Sequence, residues 1–251
     1  MRNKISVFAA ATVLVAVLLA VPVHAQQTVA RSYSFIPQDG MTAQFEAALK
    51  AHIEWRIANG DPWTWGVSSL EVGETVGEFS VRSSGHEWAE LDAYDSDFGP
   101  KGVQHYMATV APLVESLSTM ITTAEEAMSN RPPAGRPLGF VTITTYHIRP
   151  GAQAQFTQAA AAASQALMDH DFPGYWIWET PLSGGGMGPF MRVVSLHDSW
   201  SDMQERDPAL LEVLAQAMGE DDFEEWMADF TGAIRGQETI TRRLRQDLDG
   251  R

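Results

Sequence analysis

The chain has 251 residues, a formal net charge of −15 and no cysteine. Without cysteine it carries no disulfide, thiolate zinc site, iron–sulfur cluster, c-type haem attachment or cysteine nucleophile, so its core alone must hold the fold. The acidic balance repels nucleic acid and anionic lipid, which argues against both as partners.

The N-terminus reads as an export signal. Arg2 and Lys4 supply positive charge, and Val7 to Val21 carries none. Val23-His24-Ala25 then sets small residues before a cleavage point at Gln26. That is the three-part pattern of a secretory signal peptide over 1–25. The apolar stretch is shorter than the roughly 20 residues a bilayer span needs. The expectation is an exported protein, periplasmic or secreted, with no membrane segment after cleavage. An uncleaved N-terminal anchor is the alternative.

Beyond the signal the sequence repeats itself. Gly40 to Phe45 matches Gly151 to Phe156 at an offset of 111, and Trp63-Thr64-Trp65 matches Trp176-Ile177-Trp178 at 113. Gly77-Glu78-Phe79 matches Gly188-Pro189-Phe190, and His86 matches His197, both at 111. The Arg131–Pro137 segment is a stiff polar linker. Repeat one is then 30–130 and repeat two 138–248.

Each repeat predicts the same elements. A strand over Arg31–Ile36 or Gly139–Ile148 is rich in β-branched and aromatic residues. A helix over Met41–Asn59 or Ala152–His170 follows, with Phe45, Leu49, His52 and Ile53 on one face of the first. Strands over Trp63–Val72 and Phe79–Ser84, or Tyr175–Leu182 and Phe190–Leu196, make hairpins around glycine-rich turns. A helical region over Glu87–Val114 or Ser199–Thr231 comes next, with Asp207-Pro208 as a cap and first-turn pair in the latter. Glu238–Arg245 alternates like an edge strand. Leu117–Met128 fits strand or helix and is assigned here as strand.

The order β-α-β-β-α-β, twice, predicts an α+β fold of two tandem ferredoxin-like repeats packing sheet to sheet as an intramolecular barrel. The strand–Gly–x3–Phe–helix opening, the aromatic hairpin and the His–acidic–Trp stretch resemble the dimeric α+β barrel superfamily. That superfamily includes antibiotic-biosynthesis monooxygenases, NIPSNAP-like proteins and chlorite-dismutase-like haem proteins. The resemblance spans both repeats and speaks to fold more than to function.

Several residues are candidates for chemistry. Trp63 and Trp65 are two apart, as are Trp176 and Trp178, so each pair faces one side of its predicted strand. If those sides line the space between the sheets, four indoles wall a cavity for a flat apolar ligand. The bland alternative is core packed under the helices. His147 ends the first strand of repeat two, where Ile36 stands in repeat one, and pleat alternation turns it away from Tyr146 and Ile148. There it can serve as a general base. Arg82 and Arg192 lie on the third strands and could anchor a carboxylate or oxyanion, although pairing with a surface acid is the simpler expectation.

The other histidines read as structural. His86 and His197 precede Glu87 and Asp198, acids suited to a helix N-terminus. His170 sits at a helix C-terminus, and His52 and His105 read as core-edge residues. No metal-ligand spacing is present, and the Gly184–Gly188 run joins two strands rather than cradling phosphate.

Three functions follow. The first is an exported barrel that binds a small apolar or aromatic molecule between its sheets without a cofactor, alone or as a homo-oligomer. The second, implied by the resemblance, is a cofactor-independent monooxygenase with His147 as base, Arg192 as anion anchor and Trp176 and Trp178 as walls. The third, also implied by it, is a haem protein, which requires an axial histidine on a helix.

Overall fold

The computed structural model describes residues 28–186 and 188–249. The predicted signal peptide over 1–25 lies outside the described residues. Repeat one holds β1 (Val29–Pro37), α1 (Thr42–Ala58), β2 (Gly66–Val72), β3 (Phe79–His86), α2 (Trp88–Ser96), α3 (Gly99–Thr109) and β4 (Val114–Ala124). Repeat two holds β5 (Phe140–Ile148), α4 (Gln153–Asp169), β6 (Tyr175–Ser183), β7 (Phe190–His197), α5 (Leu210–Met218), α6 (Glu220–Ala233) and β8 (Ile234–Leu244).

All strand pairs are antiparallel. The order within repeat one is β4-β1-β3-β2, and within repeat two β8-β5-β7-β6. The halves meet at their edges, β2 against β8 and β4 against β6, and this closes the eight strands into one barrel. Closure removes the open edges that each half would present alone.

The helices cover the outside. Phe45, Leu49 and Ile53 of α1 pack on Phe35, Val67, Phe79 and Val81 of the strands. Phe156, Ala160 and Leu167 of α4 pack on Ile148, Trp176, Trp178 and Met191. Phe45 and Phe156 are fully buried, each worth about 1.5–3 kcal/mol of transfer from water. The alanines of α4 let its backbone lie close to the sheet.

Several boundaries differ from expectation. Trp63 and Trp65 precede β2, which starts at Gly66, because Asp61 draws the chain into a turn: its carboxylate accepts from the Trp63 backbone N–H at 2.9 Å. β8 is no edge strand; it pairs with both β5 and β2. Each long helical region breaks into shorter helices, at Asp97–Phe98 and at Gly219. Ala209, not Asp207, caps α5, and its N–H donates to the Glu212 carboxylate at 3.1 Å.

The third strands also slip by one residue against the sequence match. Phe35 pairs with Phe79, but its counterpart Tyr146 pairs with Met191 rather than Phe190. Phe79 and Met191 therefore face the helices, and Phe190 faces the other way. A one-residue slip always exchanges the two faces of a strand. An irregularity at Val29/Ala30 restores the match, so His86 and His197 still correspond.

Candidate functional site

Strand register decides which side chains point into the barrel, since directly paired residues share a face. In repeat two, Ile177, Val194, Ile143 and Ile240 make one inward row across β6, β7, β5 and β8. Glu179, Arg192, Thr145 and Glu238 make the next row, and Phe190, His147 and Gly236 the one after. In repeat one, Ser118, Ser34, Ser80 and Ser68 form a row of four serines across β4, β1, β3 and β2. Met120, Ser32, Arg82 and Gly66 form the row beside it. One wall is thus largely aliphatic and the other largely hydroxyl.

Arg82 and Arg192, one from each repeat, converge on Glu179. Arg82 Nη2 lies 2.5 Å from Oε1, and Arg192 Nη2 lies 2.7 Å from Oε2. Arg82 Nη1 also donates to Ser32 Oγ at 3.1 Å and Thr122 Oγ1 at 3.2 Å. The predicted surface acid is therefore a buried one. Across the lumen, Arg242 donates from Nε to Ser68 Oγ and from Nη1 to Glu78, both at 2.9 Å. Burial pulls the Arg82 guanidinium pKa down, against the pull of Glu179 and with repulsion from Arg192 and Arg131. Burial does the same to Arg242, opposed by Glu78 and reinforced by Arg192.

Several inward-facing side chains remain partly accessible. Arg82 points into a closed barrel, yet 32% of its side chain remains accessible. Ile143, Ile177, Val194 and Ile240 are half-buried, as are Ser32, Ser34, Ser68 and Ser80. The Nε of Arg192 is buried without a hydrogen-bond partner. Eight strands enclose space that side chains can fill or that one small ligand can occupy, and the small serine side chains fill little of it.

His147 faces inward as expected, next to Phe190, with Nε2 3.7 Å from Glu238. Glu238 is 65% exposed, so this row forms an open mouth. His147 and Arg192 are inward neighbours on adjacent strands, two positions apart along the register.

The four tryptophans do not line the interior. Trp63 stacks on His86 and Tyr94 at 3.9 and 3.8 Å between sheet and helices. Trp65 Nε1 donates to Asp61, Trp176 Nε1 to the Met128 carbonyl and Trp178 Nε1 to Ser164 Oγ. All four are buried core. Their strands, or the loop before β2, turn them toward the helices, so the expected aromatic cavity between the sheets does not form from them.

His86 hydrogen bonds Ser83 Oγ at 2.7 Å, while Glu87 caps α2 in a reciprocal box with Glu90. His170 caps α4, its Nδ1 2.9 Å from the Ala166 carbonyl. His52 and His105 meet Nδ1 to Nδ1 at 2.7 Å, joining α1 to α3. Burial first, then Arg56 and His105, lowers the His52 pKa to about 3. Elsewhere, an open groove of about 470 Å³ runs between the β6–β7 turn and α4, floored by Ile148, Phe190 and Met191. No group of three or more metal-ligating side chains occurs among the described residues.

Comparison with known proteins adds the fold. No family model and no curated protein matches the sequence. Solved structures do match in shape. A provisionally assigned monooxygenase from Fusobacterium nucleatum superposes with a TM-score of 0.56 at 7% identity, covering 88% of this chain and 93% of that one. An anthrone oxidase-like protein gives 0.52 at 10%, covering 87% and 91%. A variant chlorite dismutase from Candidatus Nitrospira defluvii gives 0.52 at 9%, covering 86% and 90%. The chain has the dimeric α+β barrel fold. At these identities the likeness carries the fold and no activity.

Haem, which the resemblance brings into question, does not fit inside the lumen of this barrel. His52, His105, His86 and His170 lie outside the lumen, on the helices or between sheet and helices, each bonded to another histidine, a serine or a backbone carbonyl. His197 Nδ1 lies 3.9 Å from Asp202 and has no hydrogen-bond partner among the described residues. His147 remains, but the interior beyond it is crossed by the Arg82–Glu179–Arg192 bridge. An eight-stranded barrel so crossed has no room for a macrocycle.

Sequence reasoning selected Arg82, Arg192 and His147 and missed Glu179 and Arg242. A signal for Glu179 was present. It shares the parity of Ile177 within a strand of apolar residues, where an acid needs a cationic partner.

Proposed function

We propose that the protein binds a small organic molecule inside the barrel, between its two repeats, and that it does so outside the cytoplasm after losing residues 1–25. One observation carries this reading: Arg82 is enclosed by a closed ring of strands and still keeps a third of its side chain accessible. The serine row explains the room, and the mouth beside His147 and Glu238 gives the way in. The purely apolar ligand expected from the tryptophans gives way to one with polar contacts at Arg82 and Arg192.

The test is native against denaturing mass spectrometry on protein recovered from an exporting host, with and without added small organic acids and amides. An adduct lost on denaturation is expected, on a chain starting at Gln26. In Ser80→Leu, which fills the lumen, the adduct should vanish while the circular dichroism spectrum is kept. An adduct retained in Ser80→Leu contradicts the reading.

A second reading is favoured by the placement of His147 beside Arg192. A base and an anion anchor within reach of one molecule suit proton abstraction from an acidic aromatic. The protein would then be a cofactor-independent monooxygenase. Oxygen uptake with a phenolic substrate, abolished in His147→Ala, supports it. Uptake unchanged in that variant opposes it.

A further inference from the structure

Among the described residues, the charges that bond to one another inside the barrel do not balance. Three guanidiniums, Arg82, Arg192 and Arg242, face two carboxylates, Glu179 and Glu78. Arg131 stands near but is paired with Glu126 at the surface. Glu238 is largely in water at the mouth, where solvent screens it. A buried lysine or histidine could shed its proton to relieve such an excess, but a guanidinium cannot. Buried charge needs a partner, so one positive charge remains to be met.

The unmet donor can be named. Both oxygens of Glu179 are taken, one by each arginine, and Arg192 Nε is buried with nothing to donate to. On one side of Arg192 along the barrel lies the row Ile177, Val194, Ile143 and Ile240, roughly 7 Å away along the strand. These four inward-facing aliphatic residues are half-buried. A head that accepts from Arg192 Nε therefore has an apolar surface directly behind it. The opposite wall offers hydroxyls and no further charge in its serine row.

We propose that the interior site is built for a singly charged organic anion, an aliphatic or aromatic monocarboxylate, with its carboxylate on Arg192 and Arg82 and its apolar body on the Ile177–Val194–Ile143–Ile240 row. This rests on the interior being the binding site. One negative charge neutralises the cluster, whereas a dianion overshoots it. A neutral amide leaves the excess uncompensated. The selectivity belongs to the pair of repeats, since neither half alone supplies both arginines.

The test is solution NMR of the full mature chain, titrated with hexanoate, hexanamide and glutarate. Two signals are followed. The methyl groups of Ile143, Val194 and Ile240 report occupancy of the lumen whatever the ligand's charge. The side-chain Nε–Hε signal of Arg192, assigned by its loss in Arg192→Lys, reports an acceptor at that donor. Hexanoate is expected to shift both and to bind about tenfold tighter than hexanamide. Glutarate should bind more weakly than hexanoate. If hexanamide moves the methyls with an affinity equal to that of hexanoate, the anion assignment falls and interior binding stands. A tighter glutarate complex also overturns the single charge. If no ligand moves those methyls, or hexanoate binds Ser80→Leu unchanged, interior binding itself falls.

Discussion

Glu179 holds two arginines from opposite halves, and its removal leaves the largely buried Arg192 and the partly accessible Arg82 without their carboxylate. Breaking such a buried pair costs about 3–5 kcal/mol. Glu179→Leu is therefore expected to lower stability by that order in urea denaturation; a loss under about 1 kcal/mol, the level of exposed pairs, would show that the bridge behaves as a solvated one. The glycines of the β6–β7 turn separate in the same way. A Cβ at Gly184 would stand 2.3 Å from the Thr119 carbonyl, and its φ is +79°, whereas a Cβ at Gly186 meets nothing within 4 Å. Gly184→Ala should destabilise the fold and Gly186→Ala should not, as thermal melts of the two variants would show. At this scale the sequence exposes types but not partners. Arg82 and Arg192 are conspicuous on strands, while Glu179 becomes meaningful only when the register places it between them.

Alternation along the strands is the element-scale counterpart. In β1 and β3 the large residues Tyr33, Phe35, Phe79 and Val81 face the helices, and Ser32, Ser34 and Ser80 face the lumen. That pattern is legible in the letters, as are the two long helices, which fall within a residue of expectation. The tryptophans were harder to place. Two residues before β2 and two within β6 look alike in sequence, and only the Asp61 turn and the helices above them fix their side. The α1–α3 contact makes a separate prediction. His52 stays neutral in the folded protein down to about pH 3, against an ordinary value of 6.5. Between those limits the unfolded chain binds a proton that the folded one does not, so stability is full above about 6.5 and falls as pH drops toward 3. Burial lowers His86 and His197 in the same direction. Denaturation midpoints measured across this range should decline with acidity, and less steeply in His52→Gln. An equal slope in both proteins would remove His52 from the account.

At the scale of the molecule, the repeats could be read from matches at offsets near 111, and the fold class with them. That the halves close into one barrel came from the family resemblance; which strands meet at the seams could not be read. Each half offers two unpaired strands, and nothing local says which edge of one half meets which edge of the other. The structure joins them through β2–β8 and β4–β6. Residues 28–137 expressed alone would leave β2 and β4 open, and exposed edges pair with other chains. That fragment is expected to dimerise or aggregate in sedimentation runs; a stable monomer would show that the seams are dispensable. Joining at edges rather than faces also creates the lumen, and with it the meeting of Arg82 and Arg192. The most direct test of that lumen is a crystal soaked with a bromine-labelled monocarboxylate, read by anomalous scattering. A bromine peak inside the barrel, on the Ile143 and Val194 side of Arg192, is the predicted result. Ordered bromine only in the outer groove by the β6–β7 turn, or between sheet and helices, would contradict it.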